Sequence, residues 1–163
     1  MFQGGSKYVC RGWVIPFDFP TLDRTHAIYD CEFKGAWFWG EVSFLGNQQL
    51  YGEAHFEEAI FEKDVVFTDS IFHRPAHFDR ARFMQEAIFH RTQFMTDASF
   101  EGTRFRSKAD FRLGKFGPPG NSGFRVDFER TQFEADADFS DRLFVADINL
   151  RKARFAGQAL TPI

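Results

Sequence analysis

The sequence has little of what marks a secreted, membrane-spanning or nucleic-acid-binding protein. Two cysteines, Cys10 and Cys31, are too few for a disulfide framework, so we expect a reducing, cytoplasmic location. No apolar run reaches about 18 residues, and the first residues lack the unbroken apolar segment of a secretory signal, so we expect no membrane insertion. With 20 Lys and Arg against 23 Asp and Glu, the chain offers no basic footprint for direct binding of nucleic acid.

Phenylalanine is the residue present in excess, at 24 of 163 residues. From Leu22 onward, apolar residues that we call centres recur at intervals of five and six, which alternate strictly between Phe56 and Phe116. A fixed short period is typical of a solenoid, in which each repeat packs only on its neighbours. The centres are Leu22, Ile28, Phe33, Phe38, Phe44, Leu50, Phe56, Phe61, Phe67, Phe72, Phe78, Phe83, Phe89, Phe94, Phe100, Phe105, Phe111, Phe116, Phe128, Phe133, Phe139, Phe144, Leu150 and Phe155.

Small residues stand two positions before most centres, as Ala54, Ala76 and Ala98 do. A period of two puts both side chains on the same side of an extended strand, which predicts a small residue and a ring packed together inside. A helix does not fit, because steps of five and six residues rotate by about 140° and 240° around an α-helix and form no stripe.

These units resemble the pentapeptide repeat, in which a small and a polar residue precede a central Leu or Phe that two polar residues follow. Residues 54–58 read Ala-His-Phe-Glu-Glu, and residues 76–80 read Ala-His-Phe-Asp-Arg. The resemblance extends from about Thr21 to Gly157 and implies an all-β fold, a right-handed quadrilateral parallel β-helix. The chain departs from the family in having few Asn or Asp residues before the centre and one added residue in every second interval.

Four units per coil predict about six coils of roughly 22 residues, and a column about 29 Å long at the spacing of paired strands. We expect residues 1–20 to form an N-terminal cap that packs on Trp37 and Trp39, residues 21–157 to form the β-helix, and residues 158–163 to form a tail. The interval from Phe116 to Phe128 is twelve residues and contains Gly-Pro-Pro-Gly. It predicts an inserted loop, 117–123, that adds six residues without changing the register.

No motif in the sequence indicates catalysis or a bound cofactor. It contains no Cys-x-x-Cys, no Ser-His-Asp order and no phosphate-binding glycine loop, so we expect no enzyme and no cofactor. His55, His73 and His77 with Glu57 or Asp79 would be a plausible zinc set. Surface histidines of solenoids are usually solvated polar residues, however, and we expect no metal.

The expected function is therefore that of a scaffold acting by protein–protein interaction. Its candidate partner-binding residues are a semi-apolar strip and two loop prolines, namely Tyr51, Val66, Ile71, Ile88, Met95, Pro118 and Pro119. Packing between neighbouring strands explains the strip equally well without a partner. Because little chain follows Phe155 to cover the last coil, homodimers through ends or faces are a further expectation.

Mimicry of DNA is the alternative function. The resemblance includes proteins that protect gyrase by imitating a DNA duplex, and here Glu57, Asp79, Glu101 and Glu129 are predicted to stack on one acidic face. B-DNA carries one negative charge per roughly 1.7 Å, so a 29 Å column would need about 17. The acidic residues alternate with arginines such as Arg80, Arg130 and Arg151, which weakens this alternative.

Overall fold

A computed structural model describes residues 6–18, 27–44, 48–118, 123–141, 143–144 and 147–160. All its regular elements are short parallel strands, β1 to β25 in chain order, in three sheets. Within these ranges no helix is long and apolar enough to cross a membrane. The seven-stranded sheet, which we call the arginine face, contains β2 (Val14–Ile15), β4 (Trp37–Phe38), β8 (Ile60–Phe61), β12 (Arg82–Phe83), β16 (Arg104–Phe105), β20 (Gln132–Phe133) and β24 (Arg154–Phe155).

The six-stranded sheet, which we call the valine face, contains β5 (Val42–Ser43), β9 (Val65–Val66), β13 (Ala87–Ile88), β17 (Ala109–Asp110), β21 (Ala137–Asp138) and β25 (Ala159–Leu160). The twelve-stranded sheet contributes two faces. The histidine face contains β1 (Ser6–Val9), β3 (Ile28–Glu32), β7 (Ala54–His55), β11 (Ala76–His77), β15 (Ala98–Ser99), β19 (Arg125–Asp127) and β23 (Asp147–Asn149). The tyrosine face contains β6 (Gln49–Leu50), β10 (Ile71–Phe72), β14 (Gln93–Phe94), β18 (Lys115–Phe116) and β22 (Leu143–Phe144). Strand β3 joins the two faces, because Ile28 pairs with Leu50 and Cys31 pairs with Ala54.

The predicted all-β solenoid of about six coils is confirmed. Strands one turn apart pair 22 residues apart, as Ala76 does with Ala98. Across the inserted loop the offset becomes 28, as for Arg104 and Gln132, so the six added residues leave the register intact as predicted. Residues 119–122 of that loop lie outside the described ranges.

The Phe rings form the axis of the solenoid. Rings one turn apart lie nearly parallel, as Phe89 and Phe111 do at 4.8 Å and 2°. Rings on neighbouring faces meet edge to face, as Phe89 and Phe100 do at 5.6 Å and 90°. Small residues such as Ala87 and Ala98 are fully buried beside them, as predicted, because a larger side chain would displace a ring.

The alternating intervals correspond to two kinds of corner. After the histidine and valine faces, the five-residue interval closes in a tight turn whose second residue has φ near +60°, as in Glu58 and Arg80. Gly35 and Gly102 occupy the same turn position with φ of 66° and 65°. After the other two faces, the added sixth residue allows an ordinary bend, so every second corner avoids this strained conformation.

Both ends of the solenoid differ from expectation. Residues 6–18 pair with the edge of the first coil through Tyr8 and Val14 instead of lying over Trp37 and Trp39. The two tryptophans keep 40% and 49% of their exposure, so the prediction that the N-terminal segment covers them is wrong. Edge pairing extends a face along the axis and leaves its outer surface open. At the other end, β25 continues the valine face past the predicted boundary at residue 157.

The last described coil is open to solvent. Leu150 and Phe155 were predicted to lie on the axis, but they are 48% and 37% exposed. Phe155 still stacks on Phe133 at 4.7 Å. The described chain places a further ring on one side of Phe155 only, which accounts for its exposure. Of the other centres, Leu22 lies outside the described residues.

Candidate functional site

The histidine face carries a polar column on successive strands: His55, His77, Ser99, Asp127 and Asn149. The rings of His55 and His77 stack at 5.1 Å, and Nδ1 of His55 lies 3.0 Å from Oε1 of Glu57. Burial lowers the pKa of His55, but the hydrogen bond with Glu57 and nearby carboxylates outweigh it and leave the pKa raised. His55 therefore gains a proton more readily than an isolated histidine.

The third histidine of the conceivable zinc set lies elsewhere. His73 stacks on Tyr51 at 4.5 Å on the tyrosine face and forms a 2.6 Å hydrogen bond with Gln49. The structure therefore brings His55 and His77 together but leaves His73 apart. In the described ranges, no three His, Cys, Asp or Glu side chains are grouped so that they could hold a metal ion.

The acidic residues Glu57, Asp79, Glu101 and Glu129 follow one corner of the solenoid in consecutive turns, as the sequence predicts. The two nearest the C-terminus are paired: Glu101 lies 2.8 Å from Arg130, and Glu129 lies 2.5 Å from Arg151. The hydrogen bond from Arg151 lowers the pKa of Glu129 despite its burial. At the other end, Glu57, Asp79 and Glu101 line an open groove of about 240 Å³ together with Lys34, Glu58 and Arg80.

The predicted semi-apolar strip is divided into short pieces. Val66 pairs with Ile88 on the valine face, but Ser43 and Asp110 follow at either end of that pair. Ile71 lies between Gln49 and Gln93 on the tyrosine face. Tyr51 stacks on Tyr29 at 5.7 Å and is exposed, whereas Met95 and Pro118 are half-buried. Pro119 lies outside the described residues.

A larger exposed apolar surface lies on the arginine face, where the sequence analysis did not place one. Trp37 points outward between Val14 and Ile60, and its ring meets that of Trp39 at 5.7 Å and 79°. Nε1 of Trp37 donates a 2.9 Å hydrogen bond to Oε1 of Glu62. The outward positions of both tryptophans were the signal in the sequence, but the expected cover was wrong.

The comparisons with known proteins agree with this geometry. The family model described as pentapeptide repeats (9 copies) matches residues 49–93 and 67–113. This chain carries pentapeptide repeats. No curated protein and no solved structure matches it. The matched residues include the turns in which the Phe rings stack most regularly, from Phe56 to Phe111.

Several polar residues of the pentapeptide-repeat solenoid hold the fold instead of facing a ligand. Buried hydroxyls replace alanine at some small positions and donate to main-chain oxygens on the axis: Ser70 to Phe44, Thr92 to Phe67, Thr103 to Phe78 and Thr131 to Phe100, at 2.6–2.8 Å. Aspartate Oδ1 atoms accept main-chain N–H groups one turn later: Asp18 from Glu41, Asp64 from Glu86, Asp97 from Arg125 and Asp136 from Gln158. Sequence spacing alone did not distinguish these residues from exposed ones.

Proposed function

We propose that this chain is a non-catalytic scaffold that acts through protein–protein contacts. The observation that carries the proposal is the clustering of exposed apolar side chains on a rigid frame. Eight of the eleven exposed large hydrophobic residues within the described ranges fall between Val9 and Tyr51. Aromatic side chains contribute disproportionately to binding energy at interfaces, and a stacked core fixes their positions before a partner arrives.

Site-specific photo-cross-linking in the native host tests the scaffold function. A photoreactive residue replaces one outward side chain on each face, at His77, Arg82, Ile88 and Ile71 in four separate variants. A defined adduct with one other protein from at least one face is expected. Variants that retain the far-ultraviolet spectrum of the solenoid but form no protein adduct from any face would contradict the proposal.

The strip predicted from the sequence has its own test. Replacing Ile71, Ile88 and Met95 together by serine is expected to leave the fold intact and to weaken assembly, because these side chains are partly exposed. A matched control replaces Lys63, Gln85 and Glu86, which are polar and exposed, by serine. Unchanged partner binding and an unchanged mass in solution would reject the strip.

Self-association through the ends is a second proposal about partners. Leu150 and Phe155 expose apolar surface at the end of the ring axis. Pairing of two such ends would bury both side chains and extend the stack. A mass in solution of twice the chain that falls to one chain on Phe155→Ser supports the pairing, whereas a single-chain mass at every concentration rejects it.

DNA mimicry is supported less. The stack of Glu57, Asp79 and Glu101 favours it, but Arg130 and Arg151 neutralise the acidic corner toward the C-terminus. Protein that neither inhibits supercoiling by gyrase nor restores it in the presence of a fluoroquinolone removes this alternative.

A further inference from the structure

The outward side chains of the arginine face change from apolar to basic along one column. Strand pairing places in order Val14, Trp37, Ile60, Arg82, Arg104, Gln132 and Arg154. The residues that follow the strands form a second column: Trp39, Glu62, Met84, Arg106 and Glu134. One flat sheet therefore presents an aromatic surface beside a basic one.

Three arginines of this face lack an acidic counterpart. Arg104 lies 3.0 Å from Glu134, but Arg82, Arg106 and Arg154 form no ion pair with any residue that the structure describes. All three are exposed. Guanidinium groups bind carboxylates through two parallel hydrogen bonds, so a column of unpaired arginines favours a ligand that carries negative charges in a row.

Acidic residues border the face on both sides. Glu58 and Asp79 stand at the corner toward the histidine face, and Asp64 and Glu86 stand at the corner toward the valine face. These carboxylates repel a broad anionic surface such as a DNA duplex or a lipid bilayer. A narrow chain lying along the middle of the face meets the arginines first.

The aromatic end indicates which narrow chain fits. Glu62 accepts the Nε1–H of Trp37, so a carboxylate stands beside the exposed indole rings. A phosphate passing this point would be repelled, which disfavours a single-stranded nucleic acid with its bases on the tryptophans. An uncharged apolar side chain packed on Trp37 and Trp39 meets no such penalty, and Trp and Arg are the residue types that most often dominate protein interfaces.

We propose that the arginine face binds an extended peptide segment of a partner protein, with apolar side chains on the tryptophans and Asp or Glu side chains on the arginines. This inference rests on the scaffold function proposed above. Five strand steps of about 4.8 Å separate Trp37 from Arg154, a span of about 24 Å that an extended segment covers in about seven residues. A second copy of this chain fits poorly, because a two-fold axis through the face would oppose Arg82 to its own equivalent.

Fluorescence anisotropy with two synthetic probes tests the inference. Both are fluorescein-labelled ten-residue peptides with glutamate at alternate positions and two leucines, placed at the N-terminal end in one and at the C-terminal end in the other. We expect at least one to bind, with an affinity that falls as salt rises. Replacing its leucines by serine should weaken binding at least fivefold, and equal binding would overturn the apolar half of the inference.

Charge reversal locates the site. The double variant R82E/R106E should weaken peptide binding at least tenfold. The matched control R74E/K115E makes the same change of net charge at exposed residues on the opposite, tyrosine face and should change binding less than twofold. Absence of binding by both peptides, or equal weakening by the two double variants, would overturn the inference.

Other occupants are measured in the same assay with duplex DNA, an oligothymidine strand and phosphatidylglycerol vesicles. If one of these binds with the same dependence on R82E/R106E, the face belongs to that ligand class and the peptide inference is overturned. The cross-linking experiment separates this failure from failure of the scaffold function. Protein adducts from other faces but not from position 82 preserve the scaffold and reject this docking surface, whereas no adduct from any face rejects both.

Discussion

Replacing Phe78 with alanine removes a ring from the middle of the axis. The Phe78 ring is fully buried, stacks on Phe56 at 5.1 Å and on Phe100 at 4.9 Å, and meets Phe67 and Phe89 edge to face at 5.6 and 5.5 Å. Truncating a buried Phe to Ala costs about 3–5 kcal/mol, and the loss of ring geometry places this site toward the upper part of that range. Strand pairing holds the neighbouring rings, so they can close the cavity only in part.

Phe155 provides the matched control. It belongs to the same series of centres but is 37% exposed and stacks on one ring, Phe133, at 4.7 Å. Phe155→Ala should therefore cost only about 1–2 kcal/mol, because less apolar area returns to water. Phe78→Leu, which fills most of the volume but loses the ring, should fall between the two alanine variants, at about 1–3 kcal/mol.

Urea unfolding followed by circular dichroism measures these differences. The three tryptophans, Trp13, Trp37 and Trp39, all lie near the N-terminus, so their fluorescence reports on the first turns alone. Each turn packs only on its neighbours, and for Phe78→Ala we expect the fluorescence and circular dichroism transitions to separate. A cost for Phe78→Ala no larger than that for Phe155→Ala would refute the stacked axis as the main source of stability.

Three smaller changes test other parts of the structure. Thr103→Val removes a buried hydroxyl that donates to the ring axis at 2.6 Å and should cost about 1 kcal/mol in urea unfolding. Burial raises the pKa of the Cys31 and Cys10 thiols, so in the native protein Cys31 should resist iodoacetamide at pH 8 while half-buried Cys10 reacts slowly, as mass spectrometry can show. Burial raises the pKa of Asp110, but hydrogen bonds from Arg112 outweigh it and leave the pKa lowered. The stability that Asp110 confers is therefore present above its unfolded-state pKa and lost as the pH falls through the lower folded value, so the difference in urea midpoint between wild type and Asp110→Asn should shrink from pH 7 to pH 3.

The sequence predicted the axis because rings at five- and six-residue intervals have few other ways to be buried together. It also predicted the inserted loop, since Arg104 and Gln132 keep their phase across six added residues. It could not predict exposure at the ends: Phe155 and Phe133 look alike in the sequence, and only the coils around them differ. Nor could it separate the buried hydroxyl of Thr103 from an alanine at the same position, because both are small enough for the site.

The candidate surfaces were predicted less well for a related reason. A period of two shows which side chains point outward, but the neighbours of each depend on register around the whole coil. Ile71 thus lies between Gln49 and Gln93 instead of in a continuous apolar strip. The arginine face was visible as separate outward residues, and its significance depended on Trp37 remaining uncovered.

Disulfide cross-linking between turns tests the solenoid register most directly. In a chain with Cys10→Ser and Cys31→Ala, the pair R104C/Q132C is expected to close a disulfide on mild oxidation, because these residues are strand partners across the inserted loop at a spacing of about 4.8 Å. The pair R104C/V126C, 22 residues apart, should stay reduced, because Val126 pairs with Ala98 on another face. Closure of the second pair in place of the first would contradict the six-coil column and the surfaces built on it.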